Sequence, residues 1–206
     1  NDNYICSLIQ NDEVRDFIIY VNKNNYSLES KIPSSIFETN SLLIKNNPSL
    51  IEYAAFYGSI QIFNYLRMNN VELNPSLWIY AIHSKNGELI HLLEECQIVK
   101  NNESFKEYFK ESIKCHHNSI AEYIQNNYLS NIKINLFDNF VQILKYYNLS
   151  LITNESIASS FYELLIYDYY LFVEILFKEA YIGINCQIIQ IQIINNIQIS
   201  FFWKMF

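Results

Sequence analysis

Pro48-Ser49-Leu50-Ile51-Glu52-Tyr53-Ala54-Ala55 returns in altered form as Pro75-Ser76-Leu77-Trp78-Ile79-Tyr80-Ala81-Ile82, with Pro, Ser, Leu, Tyr and Ala in step. The offset of 27 residues, Pro48 to Pro75, also holds downstream: Ile62 falls on Leu89, Phe63 on Ile90, Leu66 on Leu93 and Val71 on Ile98. An ungapped correspondence of this length marks an internal repeat, the sequence sign of an architecture built by stacking one small unit.

The unit has a physical grammar. Leu50 to Phe56 is a short apolar run, and Gly58-Ser59 supplies a turn in which a residue without Cβ adopts the left-handed conformation at least cost. Ile62, Phe63 and Leu66 then recur at helical spacing, so the second segment is a helix with one apolar side. Asn69-Asn70 closes it, because Asn tolerates a left-handed cap. Small Ala54 and Ala55 let neighbouring helices approach. One such pair cannot cover its own apolar surface; stacked copies cover each other.

Outward from these two copies the pattern loosens. A third begins near Phe109, where a shift of 31 takes Ala81 to Ser112, Ile82 to Ile113, Leu89 to Ile120 and Leu92-Leu93 to Tyr123-Ile124. Upstream, Asp12-Glu13-Val14-Arg15-Asp16-Phe17-Ile18 mirrors Ile60 to Leu66, which sets Cys6 on Ala54 at an offset of 48. A fifth copy is read at Leu164 to Leu176. Phe140, Val141, Ile143 and Leu144 read as one extra helix between repeats. The expected organisation is a repeat region over 1–130, with its clearest copies at 48–74 and 75–101 and a further one at 105–130. A continuation follows over 131–180, then an atypical apolar, Gln/Asn-rich tail over 181–206.

Tyr53-Ala54-Ala55-Phe56-Tyr57-Gly58-Ser59-Ile60-Gln61-Ile62-Phe63-Asn64-Tyr65-Leu66, followed by Val71-Glu72-Leu73-Asn74, resembles the ankyrin repeat pattern of two Ala, a Gly-containing turn, an apolar pair and a closing V-x-x-N. The stretch from about Asn11 to Asn131 is more closely similar to an uncharacterised domain family that accompanies ankyrin repeats in large protist paralogue sets. Lys31-Ile32-Pro33-Ser34-Ser35-Ile36-Phe37-Glu38-Thr39-Asn40 and Ser49 to Ser59 carry that similarity. The resemblance implies an all-α solenoid of stacked helix-turn-helix, ankyrin-like repeats that binds a protein and performs no catalysis. The sequence departs from the ankyrin pattern in several places. Ser49-Leu50-Ile51-Glu52 and Ser76-Leu77-Trp78-Ile79 replace Thr-Pro-Leu-His, and Lys85-Asn86 and His116-His117 replace the Gly turn. Degenerate repeats with longer loops are therefore expected.

Composition narrows the function classes. With 14 Lys and Arg against 21 Asp and Glu, the net charge is −7, and no basic stripe is present to displace counterions from a nucleic-acid backbone. Three Gly and three Pro are too few for an all-β sandwich or Gly-rich phosphate loops. The abundance of Ile, Asn, Tyr and Phe fits a biased coding composition. Cys6, Cys96, Cys115 and Cys186 are too scattered for a secreted disulfide framework, which points to reduced thiols in the cytoplasm. The N-x-[ST] triplets at Asn25, Asn102, Asn148 and Asn154 are expected by chance in so Asn- and Ser-rich a chain, and Asn1 to Asp16 is too polar for a signal peptide.

No G-x-G-x-x-G, Walker, H-E-x-x-H or G-x-S-x-G motif occurs. Cys115-His116-His117, with His91 and Cys96 one repeat earlier, offers the N and S donors that zinc takes. The register places the His pair in an inter-helix turn, however, so a structural role is the expectation and no metal or cofactor is assigned. Cys96 and Cys115 lack the loops of an activated nucleophile, and Glu94-Glu95 reads as a solvated helix end. A protein partner is expected instead, gripped by a monomer through the concave surface of the repeats. Glu52, Phe56 and Tyr57, then Trp78, His83 and Ser84, then Lys110 and Lys114 line that surface by resemblance; Trp78 reads equally as core filler. Two rivals stay open: a membrane-attached protein anchored by its C-terminal segment, against which the amides from Gln187 to Gln198 weigh, and a truncated, nonfunctional paralogue.

Overall fold

A computed structural model describes residues 2–33, 38–99, 103–130 and 136–152. The chain divides into two compact units, Asn1–Ile132 and Lys133–Phe206. The described residues are all-α, with a single antiparallel bridge between Lys31 and Ser49 as their one extended pairing. The fifth copy read at Leu164 to Leu176 and the tail over 181–206 lie outside the described residues. Among the described residues, no helix is long and apolar enough to cross a membrane.

In the first unit, eight of the helices form four hairpins: α1 (Asp2–Gln10) with α2 (Val14–Lys23), α4 (Leu50–Tyr57) with α5 (Ile60–Met68), α6 (Leu77–Ser84) with α7 (Gly87–Glu95), and α8 (Glu103–Lys114) with α9 (Asn118–Tyr128). A short helix, α3 (Ser41–Asn46), lies in the long connection between the first two hairpins. Successive first helices pack on one another, α1 on α4, α4 on α6 and α6 on α8, and α2 packs on α5.

The repeat offsets are visible in the core. Ile62, Phe63 and Leu66 of α5 are buried, as are their counterparts Leu89, Ile90 and Leu93 of α7 and Ile120, Ala121 and Ile124 of α9. Ala54, Ala81 and Ser112 are each fully buried at equivalent places in α4, α6 and α8. The hydroxyl that replaces a methyl in the last of these is satisfied locally, since Ser112 Oγ donates to the Phe109 carbonyl. Tyr53 and Tyr80 are likewise both buried, and both reach to an element earlier in the chain. Gln10 of α1 donates to the Tyr53 hydroxyl over 2.8 Å, and the Tyr80 side chain is hydrogen-bonded to Asn46 of α3.

The turns set the register. Each first helix ends in one residue at positive φ: Asp12 (53°), Gly58 (71°), Lys85 (57°) and His116 (58°). After three of the four helices, the next amide donates back to the last turn: Glu13 to Leu8, Ser59 to Ala54 and His117 to Ser112. The Asn86 amide instead takes Ser84 Oγ as its acceptor. Asp12 is thus the counterpart of Gly58, at an offset of 46. The sequence reading of 48, which set Asp12 on Ile60 and Cys6 on Ala54, slips by two residues. Without coordinates the upstream copy offers no Gly to fix its turn, so only the apolar pattern guides the alignment. Three of the four second helices also end at positive φ, at Asn25, Asn70 and Gln97, whereas α9 ends at Leu129 with φ −115°.

The change of offset from 27 to 31 has a local cause. Helices α4 and α6 have eight residues each and α8 has twelve, all of the excess at its start. Four residues are about one helical turn, so the longer spacing adds a turn without rotating the apolar side away from its neighbours. That turn carries Phe105, which packs edge-on against Trp78.

In the second unit, α10 (Leu136–Lys145) occupies the extra helix expected from Phe140, Val141, Ile143 and Leu144. Phe140, Ile143 and Leu144 are buried, and a short 3-10 turn at Leu149–Leu151 follows.

Candidate functional site

The residues singled out for partner binding fall at equivalent heights of consecutive first helices. By the offsets of 27 and 31, Phe56 of α4 corresponds to His83 of α6 and Lys114 of α8, and Glu52 corresponds to Ile79 and Lys110. The structure joins several of them directly. The Phe56 ring stacks on His83 with centroids 5.2 Å apart, and His83 Nε2 lies 2.8 Å from Glu111 Oε1. Lys114 Nζ donates to that same carboxylate oxygen over 2.7 Å. Tyr57 and Lys114 are exposed, while Phe56, His83, Ser84 and Lys110 are half-buried. Lys110 pairs along its own helix with Glu107.

Two expected contact residues have other work. Glu52 closes a capping box at the start of α4: Ser49 N donates to Glu52 Oε2 over 2.8 Å, and Glu52 N donates to Ser49 Oγ. Its second oxygen accepts from Ser76 Oγ at 2.7 Å. Ser76 is the counterpart of Ser49, but Ile79 stands where Glu52 stood. The box cannot close in the second copy, so Ser76 turns to the preceding hairpin. Trp78 is 1% exposed and belongs to the core, not to the surface. It stacks on Tyr108 and meets Phe105 and Tyr128 edge-on, and Phe105 in turn stacks on Tyr128 at 3.8 Å. The neighbouring Ile79, half-buried, takes the place on the shared side that the sequence reading gave to Trp78.

The Cys and His residues weighed as zinc donors do not come together. His91 Nδ1 bonds Glu94 at 2.9 Å, and Cys96 accepts from Arg67. His116 forms the left-handed turn, and the His117 ring bonds the Ile82 carbonyl of the hairpin before it. Burial holds the His117 imidazole below its usual pKa, although that hydrogen bond pulls the other way. The equivalent position makes an inter-hairpin bond in the earlier copies too: Ser59 Oγ donates to the Ile9 carbonyl and Asn86 Nδ2 to the Gly58 carbonyl. The residue after each left-handed turn therefore fastens its hairpin to the previous one. Three different residue types perform this task, which is why the sequence pattern alone did not reveal it.

What the structure brings together is His83, Glu111 and Cys115, the one group of this kind among the described residues. Cys115 Sγ lies 3.5 Å from His83 Nε2 and 3.7 Å from Nδ1. Although burial alone would raise it, the Glu111 carboxyl is held below its usual value by hydrogen bonds from His83 and Lys114 and by their charges. The thiol is pushed up to about 11, first by burial and then by the Glu111 charge. Cys115 directly follows the last residue of α8, where the exposed carbonyls of a helix end disfavour an anion. Activated cysteines are the reverse case, with thiolates stabilised by cations or helix N-termini.

A second polar cluster ties α7 to α9. Glu94 accepts from Tyr123 over 2.8 and 2.9 Å, from Tyr128, and from His91. Burial would raise the Glu94 carboxyl, but these bonds outweigh it and hold the group below its usual value.

No protein-family model, no curated protein and no solved structure matches this chain.

Proposed function

We propose that the chain is a protein-binding scaffold of ankyrin-like stacked hairpins, working without catalysis as a monomer in the cytoplasm. Its contact surface is the side of the first helices that carries Phe56, Tyr57, Ile79, His83, Ser84, Lys110 and Lys114. The observation that carries this reading is the register. Equivalent positions of α4, α6 and α8 present an aromatic, an imidazole and an ammonium group in sequence along one side. A surface built in this way gains area with each repeat and mixes aromatic anchors with charge, which suits a protein partner. Cys6, Cys96 and Cys115 form no disulfide among the described residues, which fits a reducing compartment.

The test compares what immobilised full-length chains retain from an extract of the source cell. A partner on this surface is held by the parent chain and by the control variant Glu122→Gln on α9. Tyr57→Ser combined with Lys114→Glu loses it while circular dichroism stays unchanged. Identical retained sets for all three folded chains overturn the reading.

A further inference from the structure

His83, Glu111 and Cys115 are drawn from two helices and converge at the same end of both. His83 sits in the last turn of α6; Glu111 sits in the last turn of α8, and Cys115 directly after it. Their donor atoms, an imidazole nitrogen, a carboxylate oxygen and a sulfur, all lie within 4.8 Å of one another. Two helix C-termini meeting at one point create a region of negative potential that favours a cation. Lys114 answers part of that potential: its ammonium donates to Glu111 Oε1 and its charge also acts on Cys115, while its side chain is 40% exposed.

We propose that His83, Glu111 and Cys115 bind a divalent metal ion of the zinc class that rivets α6 to α8, with water completing the coordination. The donor set selects the class: calcium and magnesium take oxygen donors, whereas a mixed N, O and S set suits zinc or cobalt. The donor atoms are close enough for side-chain movements to complete a tetrahedral site. Bonds of about 2.0 Å to N and O and 2.3 Å to S give tetrahedral edges of roughly 3.3 Å between N and O and 3.5 Å between N and S. The Nε2 to Oε1 distance of 2.8 Å has to open by about half an ångström, and because Sγ lies 3.5 Å from Nε2 and 3.7 Å from Nδ1, away from the Nε2 lone pair, the imidazole has to turn as the ion enters. Glu111 then exchanges its hydrogen bond from His83 and its contact with Lys114 for the metal, and the Lys114 ammonium swings into solvent. Binding releases the Cys115 proton, because the thiolate is the ligand. Affinity therefore rises with pH.

Metal binding is read on the chain alone, so its outcome is separate from that of the partner experiment. The purified full chain, kept reduced without added thiols, is titrated with cobalt(II). One ion per chain produces a thiolate-to-cobalt charge-transfer band in the near ultraviolet, and zinc displaces it. Cys115→Ser abolishes the band and Cys96→Ser preserves it. His83→Ala and Glu111→Ala weaken cobalt binding by roughly tenfold or more, and Lys114→Gln strengthens it several-fold. To separate loss of the site from loss of the fold, Tm with and without zinc is measured alongside: zinc raises Tm of the parent and leaves that of His83→Gln unmoved. Absence of the band at millimolar cobalt, or its survival in folded Cys115→Ser, overturns the site.

Discussion

The two inner seams of the first unit, between the hairpins α4/α5 and α6/α7 and between α6/α7 and α8/α9, are held by different physics. The first relies on close approach. A Cβ on Gly58 would lie 3.3 Å from the Ser84 Cβ and 3.4 Å from Asn86, so the turn of one hairpin sits against the end of the next. Phe56 stacks across this seam, and Ser76 donates to Glu52. The second seam carries an aromatic wedge around Trp78 and a larger set of polar bonds. Tyr108 donates to the Pro75 carbonyl, the His117 ring bonds the Ile82 carbonyl, and Glu94 gathers Tyr123 and Tyr128. A seam of shape fails when a volume is changed. A seam that leans on a half-buried carboxylate also fails when a proton is added.

The largest expected effect comes from the wedge. Trp78→Ala leaves a cavity among Phe105, Tyr108 and Tyr128 and is expected to cost about 3–5 kcal/mol, read as a lower urea midpoint at unchanged slope. Trp78→Phe sharpens the point. The indole Nε1 has no hydrogen-bond partner among the described residues, so removing it sacrifices no bond, and the cost stays under about 1.5 kcal/mol. Equal losses for the two variants would mean that an unseen polar role, not volume, sets the contribution of Trp78.

Next in size is the proton-sensitive cluster. Glu94→Gln weakens hydrogen bonds that end on a charge, at about 2 kcal/mol near neutral pH. The sign of the pH dependence follows from the depressed carboxyl. Its folded value lies below the unfolded value of 4.5, so the stabilisation is complete above 4.5 and is lost as pH falls through the folded value. In Glu94→Gln that acid-induced component vanishes, and parent and variant converge in stability at low pH. Parallel curves for the two chains across this window would break the distinction between the seams.

The smallest effects test the turns. Gly58→Ala places a Cβ at positive φ and close to Ser84, for a loss of about 1–2 kcal/mol. Lys85→Gly relieves the same conformation one repeat later and gains up to about 1 kcal/mol, less the entropy that Gly loses on folding. Thermal melts of the pair measure both, and equal responses would show that close approach at the first seam adds nothing to the backbone preference.

The repeat was legible because apolar positions leave a signal at fixed spacing: Ile62, Leu89 and Ile120 can be matched without coordinates. The turns at Lys85 and His116 were legible for a related reason, since the register assigned them the place of Gly58. The upstream copy was read two residues out of register because neither Asn11 nor Asp12 announces a left-handed turn as Gly does. Trp78 and Ile79 are adjacent in a helix, and which of them faces the core depends on what α8 and α9 present, a fact absent from α6 itself.

Sequence alone determined that short helices would pair and that the pairs would cover one another, because burying an apolar stripe is dictated by its period and needs no knowledge of the neighbour's identity. The tertiary structure alone decided the polar chemistry between hairpins. Glu111 and Cys115 stand four residues apart at the end of α8, but His83 joins them, and Glu94 finds Tyr123 and Tyr128, only after hairpins have docked. Hydrogen bonds and metal donors act over about 2–4 Å and in set directions, so their partners are chosen by the final packing of the helices and not by the pattern that forms them.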